Sequence, residues 1–133
     1  MAKQEIDHII HRFFSVFNNK EQSKQDWQTL YQICIPQTII IKKTGTEETV
    51  YGLDEFIAPR RIILTDGTLT GFEEHETSEE TLITGNLAQR HTRYSKSGYL
   101  NGAYFTAEGT KLLQLIRTAA GWKISSVLWE DDV

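Results

Sequence analysis

The chain has 133 residues, 39% hydrophobic and 24% charged, with a net charge of −4 at pH 7 and a pI near 5.5. That suffices for one domain, residues 1–133, with its own apolar core, and its scattered Lys and Arg exclude the clustered basic face that nucleic acid requires. The single Cys34 cannot close an internal disulfide, no apolar run reaches membrane-spanning length, and the charged opening Met1–Asp7 does not read as a secretory signal, so a cytoplasmic location is expected.

Ile6, Ile9, Ile10, Phe13, Phe14 and Phe17 recur at helical spacing, with His8, His11 and Arg12 on the opposite side. This first helix ends at Asn18-Asn19. Ser23, followed three residues later by Asp26, reads as a capping-box-like start for a shorter helix. Its expected buried face is Trp27, Leu30, Tyr31 and Cys34, and Pro36 stops it. Thr38 to Lys43 is a β-branched strand, turned by Thr44-Gly45, with Thr49 to Tyr51 returning beside it. A third helix starts with Asp54 as N-cap, carries Phe56, Ile57, Ile62 and Ile63, holds Pro59 in its first turns and ends at Asp66-Gly67. From Leu69 onward the chain reads as strands over 69–77, 80–96, 109–118 and 122–130. A turn is expected near Ser78-Glu79 and a longer connection over Ser97 to Glu108. Helices first and an antiparallel meander last indicate an α+β domain, with three helices from the N-terminal half packed on a bent, mainly antiparallel sheet.

The last two strands allow a register argument. They are joined by Ala119-Ala120-Gly121, a three-residue turn with Gly at its left-handed position. Pairing Thr118 with Trp122 sets Ile116 opposite Ile124, Gln114 opposite Ser126 and Leu112 opposite Leu128, all on one side of the sheet. The other side then holds Lys111, Leu113, Leu115 and Arg117 beside Lys123, Ser125, Val127 and Trp129. Its charged ends and apolar middle assign it to the outside, and Gln114 and Ser126 to the helix-covered side. A sheet apolar on both faces needs a second cover. The sequence offers no further helix, so self-association as a homodimer through Leu113, Leu115, Val127 and Trp129 is expected, with an ordinary exposed patch as the alternative.

The order of elements resembles the nuclear transport factor 2-like superfamily, with its SnoaL-like and ketosteroid-isomerase-like branches. The echoes are Tyr51-Gly52-Leu53-Asp54-Glu55-Phe56 before the third helix, Gly85-Asn86-Leu87-Ala88, and the stretch from Gln114 to Ile124. The resemblance covers nearly the whole chain and implies a cystatin-like cone: helices on a strongly bent sheet around an apolar pocket. It implies no single chemistry, because the superfamily includes isomerases, dehydratases, hydrolases, cyclases and non-catalytic binding or assembly domains.

Within that frame Gln114 and Ser126 are neighbouring polar groups on an apolar wall, with His91 beside them as a possible acid or base. A one-residue slip would turn His91 out and bring Arg90 in. Equally, Gln114 and Ser126 could simply satisfy one another. Trp27, Tyr31 and Tyr51 are rim or wall residues that would suit a ligand pocket or a plain core. The isomerase chemistry implied by the resemblance uses strand aspartates, and no Asp occurs between Asp66 and Asp131. No cofactor is expected, and no metal: His75 and His91 fall far apart along the strands, and His8 and His11 read as surface residues. The acidic run Glu73, Glu74, Glu76, Glu79 and Glu80 reads as a solvated hairpin tip, and Cys34 as core. Three functions stay open: a domain binding a small, mostly apolar molecule; a cofactor-independent SnoaL-like enzyme using His91; and a structural or dimerisation domain.

Overall fold

The computed structural model describes residues 1–22 and 24–133, so the capping start expected at Ser23 lies outside the described residues. Helix α1 (Ala2–Ser15) buries Ile6, Ile9, Ile10, Phe13 and Phe14, the stripe its spacing predicts. A short 3-10 turn at Lys20–Gln22 leads to α2 (Gln28–Ile33). Between them, Asn19 replaces the lost helical bonds. Its amide donates to the carbonyls of Leu64 (3.1 Å) and Leu69 (2.7 Å), and its Oδ1 accepts from the Phe72 N–H at 2.7 Å. One buried side chain thus joins the segment after α1 to distant parts of the chain, with every polar atom paired.

Strand β1 (Cys34–Thr44) follows α2 directly and turns into β2 (Glu47–Tyr51). Helix α3 (Leu53–Ile63) then leads to four long strands: β3 (Leu69–Thr84), β4 (Leu87–Leu100), β5 (Ala103–Thr118) and β6 (Gly121–Asp131). They form one sheet in the order β2-β1-β6-β5-β4-β3. Every neighbouring pair is antiparallel except β1 and β6, which run parallel. The sheet is open, with β2 and β3 at its edges. The three helices cover one face, an α+β layout of the kind expected.

Several local expectations are corrected. The cap of α3 is Gly52, and Asp54 sits in the first helical turn, where its charge favours the helix N-terminus. Tyr31 points outward, 41% exposed, and donates a short hydrogen bond to Asp54. The turn between β3 and β4 lies at Gly85-Asn86; near Ser78 there is only a bulge, between Glu76 and Ser78. The acidic run is therefore part of a long strand and not a solvated tip. Ser97 to Glu108 is no loop either: β4 and β5 continue through it to a two-residue turn at Asn101-Gly102, both with positive φ (51° and 83°).

The faces of β5, and of β6 from Ser126 onward, are the reverse of the expected ones, whereas Trp122 and Ile124 are buried as expected. Lys111, Leu113, Leu115, Val127 and Trp129 are buried on the helix side, while Leu112, Gln114, Ile116 and Leu128 are exposed on the other. Gln114 does pair with Ser126 and Leu112 with Leu128, but Leu115 then pairs with Ile124. Ser125 is thus an extra residue in β6. The bulge carries Ile124 and Val127, three positions apart, to the same side.

Candidate functional site

Between α1, α3 and the covered face of the sheet lies a cavity of about 440 Å³. Aromatic rings make up much of its wall, from Phe13 of α1, Phe17 just after it, Phe56 of α3, Phe72 of β3, Phe105 of β5 and Trp129 of β6. Phe56 is the hub, with ring centroids 5.7 Å from both Phe17 and Tyr51 and 5.8 Å from Trp129, all edge-on. Such pairs add to burial by matching ring edges to ring faces.

Charged groups interrupt this apolar surface. Lys111, inward on β5, pairs with Glu74 of β3 at 2.8 Å, and both side chains are less than a tenth exposed. The Lys111 ammonium also lies 3.9 Å from the Tyr94 ring centroid and 5.1 Å from that of Trp129. Burial lowers its pKa below the ordinary lysine value, and the Glu74 carboxylate only partly offsets this. Farther along the same wall, the Tyr94 hydroxyl donates a short bond to Asp131, whose carboxylate lies 3.0 Å from Lys96 Nζ. Burial works to raise the Asp131 pKa, but Tyr94 and Lys96 more than compensate, and it falls below the usual carboxylate range. Burial and the Asp131 charge push the Tyr94 phenol well up.

Arg60 reaches the cavity from α3. Its guanidinium lies 3.8 Å from the Phe56 ring centroid, 5.2 Å from Tyr51 and 5.5 Å from Trp129, and donates to the Phe56 carbonyl at 3.0 Å. Lys42 Nζ lies 5.8 Å from the centroid of the same Trp129 ring. Among the described residues, neither Arg60 nor Lys42 forms an ion pair with a carboxylate.

Of the residues singled out by sequence, Tyr51 lines this cavity. Trp27 is buried below α2, 6.0 Å from Phe17, and does not reach the cavity. Gln114, Ser126 and His91 lie on the opposite face of the sheet, which corrects the inward placement expected for them. There Ser126 Oγ donates to Gln114 Oε1 at 3.1 Å. His91 is exposed and pairs across the sheet with Leu112 and Glu80. Arg90 turns inward in its place, only 3% exposed. Its guanidinium forks onto Glu76 (3.0 and 2.5 Å) and reaches Asp7 at 2.5 Å. Cys34 is buried, and desolvation pushes its thiol up to about 12, so it is a core residue and no nucleophile at neutral pH. Among the described residues, no group of three or more His, Cys, Asp or Glu side chains is placed to hold a metal ion. The sequence reading missed Lys111, Glu74, Arg60, Lys96 and Lys42. Their common signal, charge inside otherwise apolar or aromatic segments, is visible but does not by itself tell an inward lysine from an outward one.

No family model and no curated protein matches the chain. Solved structures do. A nuclear transport factor 2-like superfamily protein from Salmonella enterica superposes with a TM-score of 0.79 at 17% identity, covering 99% of this chain and 92% of that one. A nuclear transport factor 2-like protein with a cystatin-like fold from Novosphingobium aromaticivorans gives 0.73 at 14% identity, covering 97% and 80%. A candidate calcium/calmodulin-dependent kinase II association domain from Exiguobacterium sibiricum gives 0.75 at 7% identity, covering 100% and 95%. Likeness at these identities is likeness of fold. The chain has the nuclear transport factor 2-like, cystatin-like fold.

Proposed function

We propose that this protein binds a small molecule with an apolar, flat body in the cavity between the helices and the sheet. The observation that carries the reading is the aromatic wall itself: a space of about 440 Å³ ringed by Phe13, Phe17, Phe56, Phe72, Phe105 and Trp129. That volume lies in the usual range for small-ligand sites, roughly 300–1,000 Å³. Acid–base chemistry centred on His91 finds no support in this cavity, which no histidine lines among the described residues; His91, Gln114 and Ser126 line a separate concavity on the open face of the sheet. Trp129 supplies the test. Naphthalene-sized alcohols and acids and ten-carbon alcohols and acids should change its fluorescence saturably and raise the melting temperature. An Ile63→Trp variant, which fills the cavity from α3, should lose both effects. Absence of saturable binding by the whole panel would leave a cavity closed on its own aromatics, as in a structural domain.

The uncovered face of the sheet favours a second reading, pairing of two copies. Ile39, Leu82, Leu112, Ile116 and Leu128 are 36–60% exposed on adjoining strands, and all three helices lie on the other side. The association-domain name of the Exiguobacterium neighbour agrees with it. Solution mass is the measurement, with two chains of 15.3 kDa each as the expected unit.

A further inference from the structure

The charge in the cavity opposes the charge of the chain. The protein carries −4 overall, yet the cavity is lined by four cations, Lys42, Arg60, Lys96 and Lys111, against one carboxylate, Glu74. Two of the four are committed: Lys111 to Glu74 at 2.8 Å and Lys96 to Asp131 at 3.0 Å. Arg60 and Lys42 are not. Lys42 lies against the Trp129 ring and Arg60 against those of Phe56, Tyr51 and Trp129; Arg60 is half-buried, donates to the Phe56 carbonyl and interacts with Tyr51, and forms no ion pair with a carboxylate among the described residues. Desolvating a guanidinium without a counter-ion is costly, and burial duly lowers the Arg60 pKa. The cost is recovered when an anion arrives, and the planar guanidinium fork matches a carboxylate in two parallel hydrogen bonds.

Resting on the binding function proposed above, we infer that the ligand is a monocarboxylate, its carboxylate held by Arg60 and Lys42 and its apolar body lying along the Phe13, Phe17, Phe72 and Phe105 side. With Glu74 neutralised by Lys111 and Lys96 engaged by Asp131, the anion is set by the Arg60 fork, whose planar geometry fits a carboxylate; a phosphate monoester is the competing anion that the test separates.

The test compares isosteres. 2-Naphthoate and 2-naphthalenemethanol, and separately decanoate and decanol, are titrated against the intact protein by Trp fluorescence and by calorimetry. The acid of each pair should bind about tenfold more tightly than its alcohol, as one charge-assisted contact provides. Arg60→Met should bring the two affinities together, and Lys42→Met should narrow the gap while leaving the packing around Phe56 intact. A melting curve on each variant reports folding, so a misfolded Arg60→Met protein shifts the decision to Lys42→Met. Equal binding of acid and alcohol by the unaltered protein overturns the carboxylate assignment and leaves ligand binding standing. Tighter binding of 2-naphthyl phosphate than of 2-naphthoate overturns the carboxylate assignment in favour of a phosphate. Failure of all the compounds to bind overturns the binding function together with this inference.

Discussion

Lys111 shows how far a side chain's type is from its address. In the sequence it reads as the charged end of an outward strand face; in the structure it is among the most enclosed polar groups. Its aliphatic stem packs as an apolar residue would, and its ammonium meets Glu74, 37 residues earlier in the chain. Nothing local announces that partner, because β3 and β5 are brought together through β4. A pair this enclosed has a sharp mutational signature. Removing one member leaves the other charged and unpaired in an apolar wall, at a cost of about 3–5 kcal/mol, whereas replacing both by apolar or neutral groups is often close to neutral. Glu74→Gln and Lys111→Met should therefore each lower the urea midpoint strongly, and the double variant should recover most of the loss. Additive losses in that double-mutant cycle would show that the two residues act separately.

At the scale of elements, helices were the more legible part and strand lengths the less. The α1 stripe and the β1–β2 hairpin stand where periodicity and turn residues put them, since each is specified by neighbours in sequence. The β4–β5 hairpin was obscured by Gly98 and Gly109, which read as loop punctuation. Both are strand positions where another backbone comes close. A Cβ on Gly98 would lie 3.2 Å from Phe72 Cα, and one on Gly109 would meet the Tyr94 hydroxyl and, at 2.5 Å, the Glu130 carbonyl. The docking of α1 on β3 and β4 was equally hidden. Arg90, Glu76, Asp7, Glu79 and Lys3 form one connected ion-pair cluster there. Burial raises the Asp7 pKa, but Arg90 and Lys3 outweigh it; Lys3 and Thr81 lower that of Glu79. Carboxylates with depressed folded-state values stabilise the fold above their unfolded pKa, near 4. That contribution disappears as the pH falls through the folded values, when the native carboxylates protonate. Thermal stability should therefore decline on acidification below about pH 4.5, where the unfolded chain begins to bind protons ahead of the native one. Asp7→Asn should be less stable at neutral pH and should lose less of its stability across that acid range. Parallel melting curves for the two proteins would contradict a role for Asp7 in docking the helix.

For the whole molecule, the decisive ambiguity was which side of the sheet the helices cover. Periodicity two sorts side chains into faces but does not label them, and here both faces of β5 carry leucines. Charge misled the choice: Lys111 goes in, while Leu112, Ile116 and Leu128 stay out. The consequence is a sheet with two different faces. The covered one closes the charged aromatic cavity, and the open one presents rows of exposed side chains, apolar at many positions, that run strand to strand. One row passes from Ile41 through Leu128 and Leu112 to His91, and the next from Ile39 through Ser126, Gln114 and Gln89 to Leu82. Polar residues at the centre of an apolar face can fix register between two copies, as Gln114, Ser126 and Gln89 would here, whereas a purely apolar face would permit sliding. Leu112 lies beside that centre, so Leu112→Glu sets a carboxylate, and in a symmetric pair its mate, within a desolvated contact. Light scattering should then give the mass of one chain in place of two. Because Leu112 points away from the cavity, binding of 2-naphthoate should persist in the variant. Loss of binding together with the dimer would mean that the two faces are coupled through the sheet, and a mass unchanged by the charge would remove this face as the interface.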